Sequence, residues 1–202
     1  MTTITSVAEL EAIYGASAET SMAKVSDRLT VGYRKLLEAS PLVALATVGP
    51  EGLDCSPRGD PGQVMVIGDE RTLILPDRRG NNRIDSLRNI VRDNRVALLF
   101  LIPGSNSTLR VNGHAVISVK PELLESLAME GKPPRSAIVI TIEEVYFQCA
   151  RALMRAKLWE AGAWPDVSQL PGPGQLIQEL KRGFDGERYD AEWPERAKAS
   201  MW

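Results

Sequence analysis

Between residues 42 and 142 the chain carries six short apolar runs, most of them bounded by turn signals, and these leave little room for an ordinary α/β architecture. The runs are Leu42–Val48, Val64–Ile67, Thr72–Leu75, Val96–Ile102, Leu109–Ile117 and Ala137–Ile142. Gly49-Pro50, Gly68-Asp69 and Pro103-Gly104 lie between them as turn signals. Helical stretches fall among the runs too irregularly for a doubly wound parallel sheet. The expected class is therefore mainly β with flanking helices, as a barrel or sandwich. Asn112-Gly113 lies inside the fifth run and is expected to mark a bulge rather than a turn.

Helices are expected on both sides of this block. Ser6 and Glu9 have capping-box spacing, and Leu10, Ile13 and Tyr14 then share one face. A second helix is expected through Met22, Val25, Leu29, Tyr33 and Leu36, ending before Pro41. Others are expected over Asn82–Arg92, Pro121–Met129 and Val145–Leu158, the last with Val145, Cys149, Ala152 and Leu153 on one face. The segment from Glu160 holds eight carboxylates, five basic residues and four prolines, and is expected to be a short helix near Gln175–Arg182 within an irregular wrap. Three parts follow: an N-terminal helical extension over 1–40, a central domain over 41–160, and a proline-rich acidic tail over 161–202 that packs on the central domain or a partner.

Charge and rare residues exclude several chemistries. The net charge of −2 gives no cationic surplus to displace counterions from a nucleic acid. No apolar run is long enough to span a membrane and the N-terminus lacks a signal-peptide pattern, so the expected location is the cytosol. Two cysteines, Cys55 and Cys149, and one histidine, His114, make a metal centre or a histidine-based triad unexpected. Cys55 reads as a small packed side chain and His114 as structural. No side-chain nucleophile is assigned, and any redox chemistry is expected to belong to a cofactor.

The densest chemical signal is Pro76 to Arg95, with six arginines against three aspartates. It leads from a strand into a helix start, where free backbone N–H groups and the positive dipole end favour an anion. Arginine forks and the neutral donors Asn81, Asn82 and Ser86 suit a phosphate monoester. The same composition also fits a solvated, capped helix whose arginines pair with Asp77, Asp85 and Asp93. Cys55 to Gly62 reads as a rigid turn with Arg58 at its tip. Tyr146, Phe147 and Trp159, with Arg151 and Arg155, read as core helix or as the flank of a planar ligand.

Taken in order, Leu45-Ala-Thr-Val-Gly-Pro-Glu-Gly52, Ser56-Pro-Arg-Gly-Asp60, the arginine-rich segment, Asp93-Asn-Arg-Val-Ala-Leu-Leu-Phe100 and Leu109-Arg-Val-Asn-Gly-His-Ala115 resemble the pyridoxamine 5′-phosphate oxidase-like, FMN-binding split-barrel family. The resemblance covers roughly residues 40 to 160. It implies an antiparallel Greek-key split barrel and a homodimer with FMN in clefts at the subunit interface. It further implies FMN-dependent oxidoreductase activity on a small molecule. Through it the basic segment, Arg78, Arg79, Asn82, Arg83 and Ser86, is expected to hold the FMN phosphate. Ser56 and Arg58 are expected along the flavin ring, and Arg155 and Trp159 to reach the partner's flavin. The family's C-terminal Arg-Leu substrate motif has no counterpart, and Thr108 stands where the family has Gln, so a vitamin B6 substrate is not expected. Alternatives are a flavin- or haem-binding protein without turnover on the same fold, haem then using His114 or a tyrosine, a deazaflavin in place of FMN, and a phosphate-ligand module with no redox cofactor.

Overall fold

The computed structural model describes residues 3–201, so Met1, Thr2 and Trp202, at the ends of the expected terminal segments, lie outside it. Seven strands form one antiparallel sheet: β1 (Leu42–Gly49), β2 (Gly52–Gly59), β3 (Val66–Ile67), β4 (Thr72–Pro76), β5 (Arg95–Leu101), β6 (Thr108–Ser118) and β7 (Ala137–Gln148). Their order is β2-β1-β5-β6-β7-β4-β3, so β2 and β3 are the two edges and the sheet does not close on itself. This is the antiparallel split-barrel class that the family resemblance implies, and it fits the mainly β reading of the short apolar runs.

One face of the sheet is the core. Val43, Leu45 and Thr47 of β1 alternate inward, as do Val96, Leu98 and Phe100 of β5. The period of two buries one side of each strand and leaves the other for helices or solvent. On β7 the buried positions are Ala137 at its start, Ile138, Ile140 and Ile142 in alternation, then Val145. The change of phase comes from a bulge: Asn112 pairs with Glu144 while Gly113 pairs with Ile142, leaving Glu143 unpaired. The irregularity expected at Asn112-Gly113 is present, with its extra residue on β7. Gly113 is required there, because a Cβ would lie 2.0 Å from the Thr141 carbonyl oxygen.

Eight α-helices flank the sheet among the described residues: α1 (Val7–Tyr14), α2 (Glu19–Ala23), α3 (Val31–Glu38), α4 (Asp85–Arg92), α5 (Pro121–Ser126), α6 (Arg151–Ala156), α7 (Pro173–Leu180) and α8 (Gly186–Ser200). In α1 the Ser6 hydroxyl accepts from Glu9 N–H, and the Glu9 carboxylate accepts from Thr5 N–H, one residue earlier than the expected box. The helix expected through Met22–Leu36 is two helices. Ser26 bridges Val145 through N–H···O bonds of 3.0 and 2.7 Å, and Leu29 N–H donates to Glu70 at 2.7 Å. Pairing with β7 outweighs local helix propensity there, and Thr30 caps α3 through Tyr33 N–H.

The helix expected over Val145–Leu158 is likewise corrected. Val145, Tyr146 and Phe147 continue β7 opposite Val111, Arg110 and Leu109, and α6 starts only at Arg151. Val145 therefore lies on a strand and shares no helical face with Cys149, Ala152 and Leu153. β-branched and aromatic residues beside a long partner strand favour pairing over helix. The Cys55–Gly62 stretch is mostly strand β2, and the chain bends only after Gly59. The tail is more regular than expected: α7 and α8 form a helical hairpin preceded by two 3₁₀ turns, Ala161–Ala163 and Val167–Gln169. Gly174 and Gly186 let the two helices touch, since a Cβ on Gly174 would lie 2.1 Å from the Gly186 carbonyl oxygen.

Candidate functional site

The loop from β4 to α4 lies beside edge strand β2, and the two line a cleft of about 670 Å³. That size is within the range of small-molecule sites. Ser56, Arg58, Arg78, Arg79, Asn82 and Arg83, all singled out in the sequence, line it. Asp77, named in the sequence as an arginine partner, lines it too, and so do Arg135 and Trp193, which were not anticipated. The lining contains five arginines and one aspartate, which makes it strongly cationic in a chain of net charge −2.

The arginines divide by their partners. Arg58 is pinned to Asp77 at 2.9 Å, and Arg78 to Asp60 at 2.9 Å and to the Leu127 carbonyl oxygen at 2.7 Å. Both side chains are mostly covered, so both are held by the fold. Arg79, Arg83 and Arg135 are exposed. Arg83 pairs with Asp85, and Arg135 donates to the Asn82 side-chain oxygen at 3.2 Å. Exposed pairs of this kind contribute little stability and exchange readily with a more highly charged anion.

The backbone between β4 and α4 is special. Asn82 has φ 60° and Ile84 φ 53°, both left-handed, and the Asn81 side chain accepts from Arg83 N–H at 3.0 Å. A left-handed β-branched residue is uncommon and is held in place by its surroundings. These turns delay the helix to Asp85 instead of the expected Asn82, and they leave the loop as a rim rather than a first helical turn.

Beneath the cleft, Ser86 is buried and does not line it. Its hydroxyl meets Ser56 at 3.1 Å, Arg58 Nη2 at 3.2 Å and the Asp54 carboxylate at 2.5 Å. Ser86 thus fastens α4 to β2. Asn89, one turn on, donates to the Thr47 hydroxyl of β1 at 3.1 Å. A smaller groove of about 400 Å³ adjoins the cleft through Arg83 and includes Arg88, Arg92, Glu51 and Asp54.

Arg155 and Trp159 do not line the cleft of their own chain. Trp159 Nε1 donates to the Ser105 carbonyl at 2.7 Å, in the turn between β5 and β6, and Arg155 is exposed on α6. His114 Nδ1 lies 3.0 Å from Glu143, the bulged residue. Cys55 and Cys149 are exposed thiols. Among the described residues no three His, Cys, Asp or Glu side chains are grouped to hold a metal, and no helix is long and apolar enough to cross a membrane.

Trp193 enters the cleft from α8, far beyond the arginine segment in sequence, so local pattern gave no sign of it. Asp77 was detectable, as the one carboxylate before the two arginines at the end of β4. Chemically, the cleft offers exposed guanidinium forks, an amide side chain and one indole face. That set suits a phosphorylated ligand with a planar part.

Three solved structures are similar to part of this chain. A putative pyridoxamine 5′-phosphate oxidase from Lactobacillus delbrueckii is 24% identical, with TM-score 0.49, over 60% of this chain and 95% of that one. HupZ of Group A Streptococcus is 22% identical, with TM-score 0.48, over 59% and 93%. An FMN-binding protein from Syntrophomonas wolfei is 13% identical, with TM-score 0.43, over 70% and 97%. No curated protein matches the chain. The family model described as pyridoxamine 5′-phosphate oxidase matches residues 29–149, from just before α3 to just past the end of β7, which is more than half of the chain. The chain belongs to the pyridoxamine 5′-phosphate oxidase family.

Proposed function

We propose that this protein is an FMN-dependent oxidoreductase acting on a small molecule, with the FMN phosphate at the β4–α4 loop. The observation that carries the reading is the grouping of five arginines on one cleft, three of which, Arg79, Arg83 and Arg135, are exposed. A phosphate dianion suits exposed guanidinium forks better than a neutral ligand does. Arg79, Arg83 and Asn82 hold the phosphate in this reading. Arg78 and Ser86 act from beneath, by fixing the loop and the start of α4. Ser56 and Arg58 lie along the planar ring. When bound, the flavin supplies hydride or electron transfer, and the chain supplies binding, orientation and electrostatics.

The proposed assembly is a cytoplasmic homodimer. Arg155 and Trp159 stand apart from the cleft of their own chain, as expected if they serve the cleft of a second copy, and two-fold association is the commonest closed arrangement. The three-part division into helical extension, flavin-binding domain and C-terminal segment is kept. Light scattering should give twice the chain mass, and a single-chain mass at micromolar concentration would reject the dimer.

The deciding experiment compares FMN with riboflavin, which lacks the phosphate. A hydrogen bond to a charged group contributes about 1.5–3 kcal/mol, so Arg83→Ala should weaken FMN roughly ten- to a hundredfold and riboflavin little. Equal weakening of both ligands would remove the phosphate from this loop.

A further inference from the structure

Trp193 lies outside the segment that the family model matches and still lines the cleft beside Arg58, Arg83 and Arg135. We propose that Trp193 is a specificity-determining wall of the site, whose indole stacks on the planar ring of a phosphorylated aromatic ligand. The proposal rests on the flavin reading above and deepens it: the barrel recognises the phosphate, and the C-terminal hairpin recognises the ring.

Three observations support this. First, Trp193 is half exposed, at 50%, although a large aromatic side chain gains most from burial. The exposed half shares its open space with the arginines, where a planar ligand would cover it.

Second, the element carrying Trp193 is firmly built. Asp185 caps α8 by accepting from Arg188 N–H at 3.0 Å, and Asp190 accepts from Gly174 N–H of α7 at 2.7 Å. Gln178 accepts from Gly186 N–H at 3.3 Å. Arg196 lies over the Tyr189 ring at 4.2 Å, within 5.9 Å of the Trp193 ring centre, and donates to the Tyr189 carbonyl at 2.8 Å. A preorganised aromatic wall loses little freedom when a ligand arrives.

Third, the residues at the cleft divide chemically. The cations come from β2, the β4–α4 loop and Arg135, whereas the indole comes from α8.

The test is a fluorescence titration of the full-length protein with FMN and with riboflavin, for wild type, Trp193→Ala and Trp193→Phe. A stacked indole quenches flavin emission, so flavin bound to the wild type should be dim. Trp193→Ala should weaken FMN and riboflavin by the same factor, about three- to tenfold, and the flavin still bound at saturation should be brighter. Trp193→Phe should recover most of the affinity without the quenching. This pattern differs from that of Arg83→Ala, which separates the two ligands. Unchanged affinity and emission in Trp193→Ala would overturn the proposal. Tighter binding would do so too, because the indole would then be blocking the cleft. A wild type that binds riboflavin but shows no preference for FMN would instead overturn the phosphate reading and leave the stacking result standing, and a wild type that binds neither would overturn both.

Discussion

The hydroxyls of Ser56 and Ser86, thirty residues apart in sequence, meet at 3.1 Å and join edge strand β2 to the first turn of α4. The direction of the bond follows from counting protons. Ser86 has one O–H, and the Asp54 carboxylate at 2.5 Å can only accept it. Ser56 therefore donates to Ser86 and accepts from Arg58 Nε at 3.3 Å. The resulting relay, from Arg58 to Ser56 to Ser86 to Asp54, is a structural floor under the cleft.

Ser86→Ala should break this relay. It leaves Arg58 and Asp54 each short of a partner, and a lost hydrogen bond to a charged group costs about 1.5–3 kcal/mol. The expected outcome is a lower urea midpoint, together with weaker FMN binding as the β4–α4 loop loosens. Equilibrium unfolding and flavin titration of the same variant check both.

Gly49→Ala tests how α4 is seated. A Cβ at residue 49 would lie 2.2 Å from the side-chain oxygen of Asn89, whose amide is already committed to the buried Thr47 hydroxyl. Overpacking of this kind costs about 1–3 kcal/mol. The variant should unfold at lower denaturant and bind FMN less tightly, because α4 carries the arginine loop. Gly52→Ala is a poor control because its φ is 126°, whereas Gly32→Ala, with only the Thr30 hydroxyl oxygen at 3.9 Å, should be tolerated.

Asp93 gives a pH dependence. Side-chain hydrogen bonds from Arg95, at 2.6–3.2 Å, and the Arg95 N–H at 3.1 Å lower its pKa to about 2. A folded-state pKa below the unfolded one favours folding at any pH above the ordinary carboxylate value, and the benefit disappears as pH falls through about 2. Asp93→Asn should therefore be less stable than wild type at pH 6, with the difference gone near pH 2. Unfolding curves at the two pH values measure it, and a constant difference would show that the effect is not ionic.

Pyridoxamine 5′-phosphate should be turned over slowly or not at all. The C-terminal segment that would carry a substrate-side Arg-Leu motif is the hairpin of α7 and α8, which is rich in carboxylates. Transition-state contacts set discrimination, and the hairpin residue that lines the cleft is Trp193, which offers no cation to a second phosphate. A peroxide-release assay on FMN-loaded protein checks this. Rates near 1 per second or above, ordinary for an enzyme, would restore the vitamin B6 substrate.

What could be read from sequence followed from local physics. Short apolar runs bounded by turn residues placed most of β1, β4, β5 and β6 and the first part of β7. The phosphate-type segment was legible because its charge density contrasts with the rest of the chain. The failures have long-range causes. Ser26 and Val145 pair across more than a hundred residues, so no helix forms through residue 26 and β7 extends past the bulge. Trp193 and Arg135 reach the cleft only through tertiary packing, and neither sits in a local pattern that points there.

Because the sheet never closes, β2 presents an unpaired row of backbone donors and acceptors along its outer side. Such an edge is a template on which other chains can add strands. Pro57 lies in the middle of β2, opposite Ala44, and it has no N–H to offer. The open edge beside the candidate cleft is thus also guarded against runaway strand addition: one proline interrupts the row where an extra strand would otherwise zip on. Openness for binding and resistance to aggregation are reconciled within the same eight-residue strand.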